Sequence, residues 1–212
     1  MTAVRSLNPK EERRLLHQEL SRTQLLDAAE EIFGRKGFHE TTLKEIADRA
    51  DFSVGSVYSF FQSKDDLYIS VWLRRGEEFL PGLESAIAHA TDGIDGIARI
   101  VDYEVNFLRA RPSFSNLYLR STGSLVPMSN EVTSEKVFEN ADRALRIQAE
   151  VIAQGQKEGV VRSGDPAALS RLLSAMVQAF QNVDNESADP LQASLSLDEF
   201  QLIVSSAFSA RP

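Results

Sequence analysis

The segment SVGSVYSFF (53–61) places three serines, a glycine and a tyrosine along what reads as a short helix. Ser53 is a natural N-cap for it. At 100° per residue, Val57 and Phe61 point to one side, and Gly55 and Ser59 point to the other with Ser56 and Tyr58 flanking. A helix that only closed a soluble core would more commonly show Glu, Lys and Arg to water. A face of small hydroxyls, a bare backbone and one phenol lets a second molecule come close. The floor and phosphates of a DNA major groove fit that description. Lys64, at the first position of the next predicted helix, suits a phosphate at a helix N-terminus; it also fits an ordinary capped helix with an exposed lysine.

Other chemistries find little support. The three histidines, His17, His39 and His89, are far apart and fall in different elements. No H-x-x-x-H, G-x-S-x-G, Walker or G-x-G-x-x-G pattern occurs, so no catalytic residues, metal site or cofactor are expected. There are no cysteines, which excludes disulfides and thiolate chemistry. Asp92 to Gly96 (DGIDG) faintly suggests a calcium loop, but lacks the closing Glu and reads as a helix start.

The elements that must position 53–61 are also legible. Thr42 and Glu45 form a T-x-x-E capping box, and Leu43, Ile46, Ala47 and Ala50 follow as an apolar stripe. Asp51 then occupies a tight turn that needs a left-handed residue. Upstream, a helix is predicted from about Glu11 to Lys36, with Leu25, Ala28, Ala29, Ile32 and Phe33 on one face and Gly37 as a left-handed cap. Residues 1–9 read as frayed. The charged stretch before Ser21 reads as a solvated extension, with a DNA-touching arm as the alternative. Ser63 and Asp66 suggest a second capping box, and the helix they start should kink or break near residue 80 at Pro81-Gly82. Two helices joined by a tight turn, with a third close behind, form a helix-turn-helix.

The rest of the chain is helical by periodicity, with no strand alternation. Helices are predicted at about 93–110, 113–121, 130–157, 165–183 and 197–210, separated by loops at 123–129 and 184–194. Ser196 and Glu199 make a third capping box. The helix from Asp165 is apolar on two faces, and the last helix carries Phe200, Ile203, Val204, Ala207 and Phe208. Such a C-terminal pair fits a four-helix interface between two copies, assigned here to Leu172, Ala175, Met176, Ala179, Phe200, Val204 and Phe208; an intramolecular hairpin is the alternative. The expected fold is therefore all-α, about nine helices, with a three-helix head at 1–70 and a helical body at 71–212.

Residues 23–72 resemble the N-terminal DNA-binding domain of the TetR family of bacterial transcriptional regulators. The resemblance rests on LLDAAEEIFGRKGF (25–38), TTLKEIADRA (41–50) and SVGSVYSFFQSKDDLY (53–68) and on their spacing. It implies phosphate contacts at Thr42 and Lys44, a groove-facing set of Ser53, Val54, Gly55, Ser56, Tyr58 and Ser59, and a phosphate anchor at Lys64. Asp51 and Phe60 stand where the family often has Gly and a phosphate-binding His or Tyr. It further implies a homodimer on a palindromic operator in double-stranded DNA, acting as a repressor released by a small molecule of apolar character in the body. Candidate pocket residues are Trp72, Phe79, Tyr103, Phe107, Phe114, Tyr118 and Phe138, each of which also fits plain core. A helical interaction protein without nucleic acid is the rival reading.

The totals agree with this division of labour. The net charge of −8 is unusual for a DNA binder, but residues 1–75 carry 12 basic and 12 acidic residues and are neutral; the excess acid lies beyond. No secretory signal and no membrane-spanning run is read, and a cytoplasmic location is expected.

Overall fold

The computed structural model describes residues 8–121, 134–186 and 195–210. The expected frayed start (apart from Asn8 and Pro9), the loop at 123–129, the first residues of the helix expected from 130 and most of the 184–194 loop lie outside the described residues. Among the described residues there are nine helices: α1 (Pro9–Lys36), α2 (Leu43–Ala50), α3 (Val54–Phe60), α4 (Lys64–Ile87), α5 (Gly93–Arg109), α6 (Pro112–Ser121), α7 (Glu135–Glu158), α8 (Pro166–Glu186) and α9 (Leu197–Phe208). The architecture is all-α. The chain divides into two compact units, Met1–Val71 and Trp72–Pro212, with the division inside α4.

In the first unit, the apolar stripes of α1 and α2 meet over Val57 and Phe61. Leu25, Ala29, Phe33, Ile46, Ala47, Val57 and Leu67 are almost wholly buried. Phe33, Phe38 and Tyr68 form a ring cluster, with Tyr68 edge-on to both phenylalanines at 5.0 Å. Arg49 pairs with Glu31 across α1 and α2 at 2.6 Å. Helix α1 starts earlier than expected, because Asn8 accepts from the backbone N–H groups of Lys10 and Glu11 at 3.0 Å and Glu11 returns the bond. Asn8-Pro9-x-Glu11 is itself a capping signature with proline at the first position. Gly37 has φ 83° but ψ 173°, an extended mirror-image conformation rather than a left-handed helical cap.

In the second unit, α5 packs against α7, α8 and α9 around Leu83, Ile100, Val101, Val105, Ile152, Leu173 and Phe208. Phe180 and Phe200 stack at 4.4 Å between α8 and α9. The chain after α7 pairs with the chain after α9: Ala210 N–H donates to the Val160 carbonyl and Arg162 N–H to that of Phe208, both at 2.8 Å. The Asp92 carboxylate caps α5 by accepting from Asp95 N–H at 2.9 Å, the structural role assigned to that acidic pair above.

Three further expectations change. Helix α4 is not broken at Pro81; it runs on to Ile87. Proline loosens the local ladder, and the Tyr103 hydroxyl donates to the Phe79 carbonyl there at 3.0 Å. Gly82 admits that phenol, since a Cβ in its place would stand 2.0 Å from the hydroxyl oxygen. The Ser63–Asp66 box is not reciprocal: Ser63 caps Asp66 N–H at 3.1 Å, but the Asp66 carboxylate accepts from Gln62 at 2.8 Å. Finally, Phe200, Val204 and Phe208 were assigned to an intermolecular face but are 4%, 1% and 1% exposed inside their own unit, and Met176 packs on the same core. On α9 the outward residues are Leu202 and Ile203. The sequence pattern marks an apolar stripe without saying whether its cover comes from the same chain.

Gly93 and Gly155 mark the closest approach of α5 and α7. A Cβ on Gly93 would lie 2.2 Å from the Gly155 Cα, a backbone atom that no rotamer change can move. Gly93→Ala should therefore destabilise the protein by about 1–3 kcal/mol, read as a lowered midpoint in thermal or urea unfolding; an unchanged midpoint would show that the helices separate freely.

Candidate functional site

Helix α3 presents the predicted face. Val57 is wholly buried, while Ser53, Gly55, Tyr58 and Ser59 are exposed and Val54 and Ser56 half-buried. Tyr58 is 57% exposed, unusual for a tyrosine beside a packed core. The serines are mutually ordered. Ser53 Oγ accepts from Ser56 N–H at 3.0 Å and lies 2.8 Å from Ser56 Oγ, and the Ser59 hydroxyl donates to the Ser56 carbonyl at 2.6 Å. Above Gly55 the space is open: the one atom near a virtual Cβ is Ser53 Oγ at 3.7 Å. The turn before α3 uses Asp51 in the left-handed conformation (φ 61°, ψ 41°), as expected. Thr42 and Glu45 form a reciprocal capping box at the exposed start of α2. Lys36 and Thr42 together hold the Glu45 carboxyl well below the usual range. Lys44 is exposed and leans on Asp48 at 2.7 Å.

Lys64 sits differently from its sequence reading. Its ammonium donates to the carbonyls of Phe38 and Thr41 at 2.9 and 3.0 Å, reaches that of His39 at 3.5 Å, and lies over the Phe38 ring at 4.3 Å. All three donors are directed at the turn between α1 and α2. In this structure the residue staples that turn; a phosphate would have to replace one of these carbonyls. Phe60 is half-buried and carries no polar group for a phosphate.

In the second unit, residues of α4, α5, α6, α7 and α8 line a cavity of about 150 Å³. Five of the seven predicted residues line it: Trp72, Phe79, Phe107, Phe114 and Tyr118. Tyr103 does not, because its ring turns to the Pro81 region as described. Phe138 does not either: it is 38% exposed, and Val137 takes the inward place. The inward stripe of α7 is Val137, Ala141, Ala144 and Gln148, so Phe138 is one residue out of phase. The rings form a connected wall, with centroid separations of 5.3 Å for Trp72–Phe114, 6.3 Å for Phe107–Phe114 and 5.1 Å for Phe79–Phe107.

The cavity also holds polar groups that the sequence reading passed over. Glu104 is buried and accepts from Gln148 Nε2 at 2.7 Å. Gln148 Oε1 accepts from the Ser174 hydroxyl at 3.1 Å. Burial pushes the Glu104 carboxyl up to about 7, the Gln148 hydrogen bond opposing only in part. Burial and the nearby Glu104 charge raise the Tyr118 phenol as well. The signal was available, since Glu104 interrupts the stripe Ile97, Ile100, Val101, Val105, Leu108 from inside. Among the described residues no cluster of three or more His, Cys, Asp or Glu could hold a metal, and no helix is long and apolar enough to cross a membrane.

Because the Glu104 carboxyl lies above its unfolded value, the folded state holds the extra proton. Stability is thus full below the ordinary carboxylate range near 4.5 and is lost as the pH rises through about 7. That span corresponds to at most about 3 kcal/mol. Glu104→Gln should flatten the fall of the unfolding midpoint between pH 5 and pH 8, raising it at pH 8 by about 2–4 °C per kcal/mol recovered. Parallel pH profiles for the two proteins would contradict a buried titrating carboxyl.

Comparison with known proteins adds the following. Residues 25–71 match the family described as bacterial regulatory proteins, tetR family. The chain is 30% identical over 135 residues to the HTH-type transcriptional activator FasR of Mycolicibacterium smegmatis, spanning 60% of this chain but only 62% of that one. A structure of a putative tetR family transcription regulator from Shewanella superposes with a TM-score of 0.72 at 19% identity, covering 90% of this chain and 99% of the other. AibR, solved with isovaleryl coenzyme A and operator DNA, gives 0.71 at 15% identity, covering 88% and 97%. At these identities the two structures speak to the fold alone.

Proposed function

The chain belongs to the TetR family of bacterial regulatory proteins, and on that footing we propose that it is a homodimeric transcriptional regulator that reads a palindromic operator and is released by a small molecule in its second unit. Residues 1–71 are the DNA-binding unit in this reading, and residues 72–212 the dimerisation and effector unit.

The observation that carries the DNA reading is the outer face of α3. Gly55 has an ordinary helical backbone and nothing packed above it, so folding does not require glycine there. Glycine weakens a helix by roughly 0.5–1 kcal/mol relative to alanine. Its presence is explained if the helix backbone must come against a surface outside the chain. Tyr58, Ser53, Ser56, Ser59 and Val54 then face base edges and phosphates. Thr42 and the Lys44 ammonium meet the backbone from the start of α2. Lys64 is retained here as the staple of the turn between α1 and α2.

Two copies are needed to read a palindrome. The apolar residues that the second unit leaves outside, Leu172 and Val183 on α8 with Leu202 and Ile203 on α9, are the proposed contact, together with Ala175 and Ala179. The effector reading rests on the aromatic cavity. Trp72, Arg75, Gly76, Phe79 and Leu80, all on α4, line it, and the first two turns of that helix belong to the DNA-binding unit. A ligand touching these residues acts on the helix that carries the reading head. Activation is the second reading of the output, since FasR is named an activator; a reporter fused to the selected site separates the two.

Selection of bound DNA from a random pool should yield an inverted repeat, and its affinity should fall steeply with salt as phosphate contacts release counterions. Gly55→Ala and Tyr58→Ala should each weaken binding by about tenfold or more while leaving the unfolding midpoint unchanged or, for Gly55→Ala, slightly raised. Recovery of no consensus, or undiminished binding by both variants, would refute the assignment. Separately, the double change Leu202→Glu and Ile203→Glu should shift the protein to monomer in sedimentation with its helical content intact, because both side chains lie outside the core. A mass that stays dimeric would place the interface elsewhere.

A further inference from the structure

We propose that the cavity takes a small organic cation, an alkylammonium whose charged head rests against Glu104 and whose apolar groups lie along Trp72, Phe79, Phe107 and Phe114. This rests on the reading of the cavity as the effector site and adds the chemical class of the effector.

The polar wall is built to hold a negative charge. Gln148 could present either end of its amide to Glu104. In the structure the Ser174 hydroxyl donates to the carbonyl end and the NH₂ end donates to the carboxylate. A single neutral amide does not compensate a buried carboxylate, which must either keep a proton or meet a cation. Among the described residues no basic side chain forms an ion pair with Glu104. The other charged and titratable groups on the cavity are Arg75 from α4 and Tyr118 from α6; α7 and α8 contribute the uncharged Asn140, Gln148 and Ser174. Arg75 donates to both oxygens of Glu78 at 2.7 and 2.8 Å, a carboxylate that also accepts from Arg111 at 3.0 Å. Among the described residues, the buried Glu104 carboxyl thus has no cation paired with it.

The aromatic part of the lining favours the same charge. Aromatic faces are negative, and a cation within about 6 Å of such a ring is attracted, most strongly when desolvated. A carboxylate ligand would meet Glu104 and be repelled by it when ionised. The volume of about 150 Å³ restricts the occupant to a few heavy atoms around the charge. Occupation draws the proton from Glu104 into solution, because the cation stabilises the ionised carboxylate. Binding therefore strengthens as the pH rises past about 7.

The test is calorimetric titration of the full chain, without DNA, with three probes of similar size: butyltrimethylammonium, the uncharged 3,3-dimethylbutan-1-ol and hexanoate. The ammonium is expected to bind at least about tenfold more tightly than the other two, and its affinity should rise up to about tenfold between pH 6 and pH 8. Proton release should show as a heat that changes with the ionisation enthalpy of the buffer. Glu104→Gln, which keeps the Gln148 contact, should lose the ammonium affinity and its pH dependence while keeping the fold by circular dichroism. Equal binding of the alcohol, preferential binding of hexanoate, undiminished binding by Glu104→Gln, or no binding of any probe would each overturn the proposal. Operator affinity measured with and without the ammonium separates the two readings. A cation that binds at Glu104 but leaves DNA binding unmoved sinks the regulatory role alone. A DNA response to some other ligand, with no cation binding, sinks this assignment alone.

Discussion

Val57 is wholly buried, and that burial sets the direction in which α3 faces. A seven-residue helix makes few hydrogen bonds of its own and is not stable in isolation. Its orientation comes from burying Val57 and Phe61 in the core of the first unit. Once those two side chains are inside, the helical repeat puts Gly55 and Ser59 on the opposite side and Tyr58 at its edge. The surrounding devices keep this register: the Thr42–Glu45 box starts α2, Asp51 turns the chain, and Lys64 ties the next helix to three carbonyls beyond Gly37. A buried valine and a stapled turn thus position a face to which they contribute no atom.

The second unit follows a different logic. Its helices bury apolar stripes against one another, but two stripes are interrupted by groups that water would ordinarily hold, Glu104 on α5 and Gln148 on α7. A core built only for stability gains nothing from a buried carboxylate, which costs desolvation that a single amide does not return. Here the two are hydrogen-bonded to each other at 2.7 Å on the lining of a cavity, so in the proposed reading the cost falls where a ligand can offset it. The Pro81-Gly82 pair belongs to the same construction. It takes Tyr103 out of the void and fixes its hydroxyl on the backbone of α4, leaving the space beside Phe79 and Phe107 open.

The places where sequence and structure part are informative in kind. Phe138 and Val137 are adjacent apolar residues at the start of α7, and a stripe written over both does not say which is in phase. Phe200, Val204 and Phe208 form a stripe of the type that either closes a core or joins two chains; they close the core because α5 and α8 already stand beside α9. Lys64 has the position of an anion ligand, yet neutral carbonyls brought near by the fold of α1 onto α2 satisfy it first. Each divergence is a question of which neighbour arrives, and periodicity within one element carries no record of that.

From sequence alone the all-α class, the boundaries of most helices, the capping boxes at Thr42 and Ser196, the left-handed turn at Asp51 and the outward-facing residues of α3 were determined. All of these rest on contacts within about four residues, where helical geometry and hydrogen-bonding capacity are local properties. Tertiary structure decided what needed distant partners: that α9 turns Phe208 inward and Leu202 outward, that Lys64 closes a turn 23 to 26 residues away, and that Glu104, Gln148 and Ser174 line one cavity with five aromatic rings. Those residues lie on α4 to α8, and only the packing of the helices brings them within reach of one another.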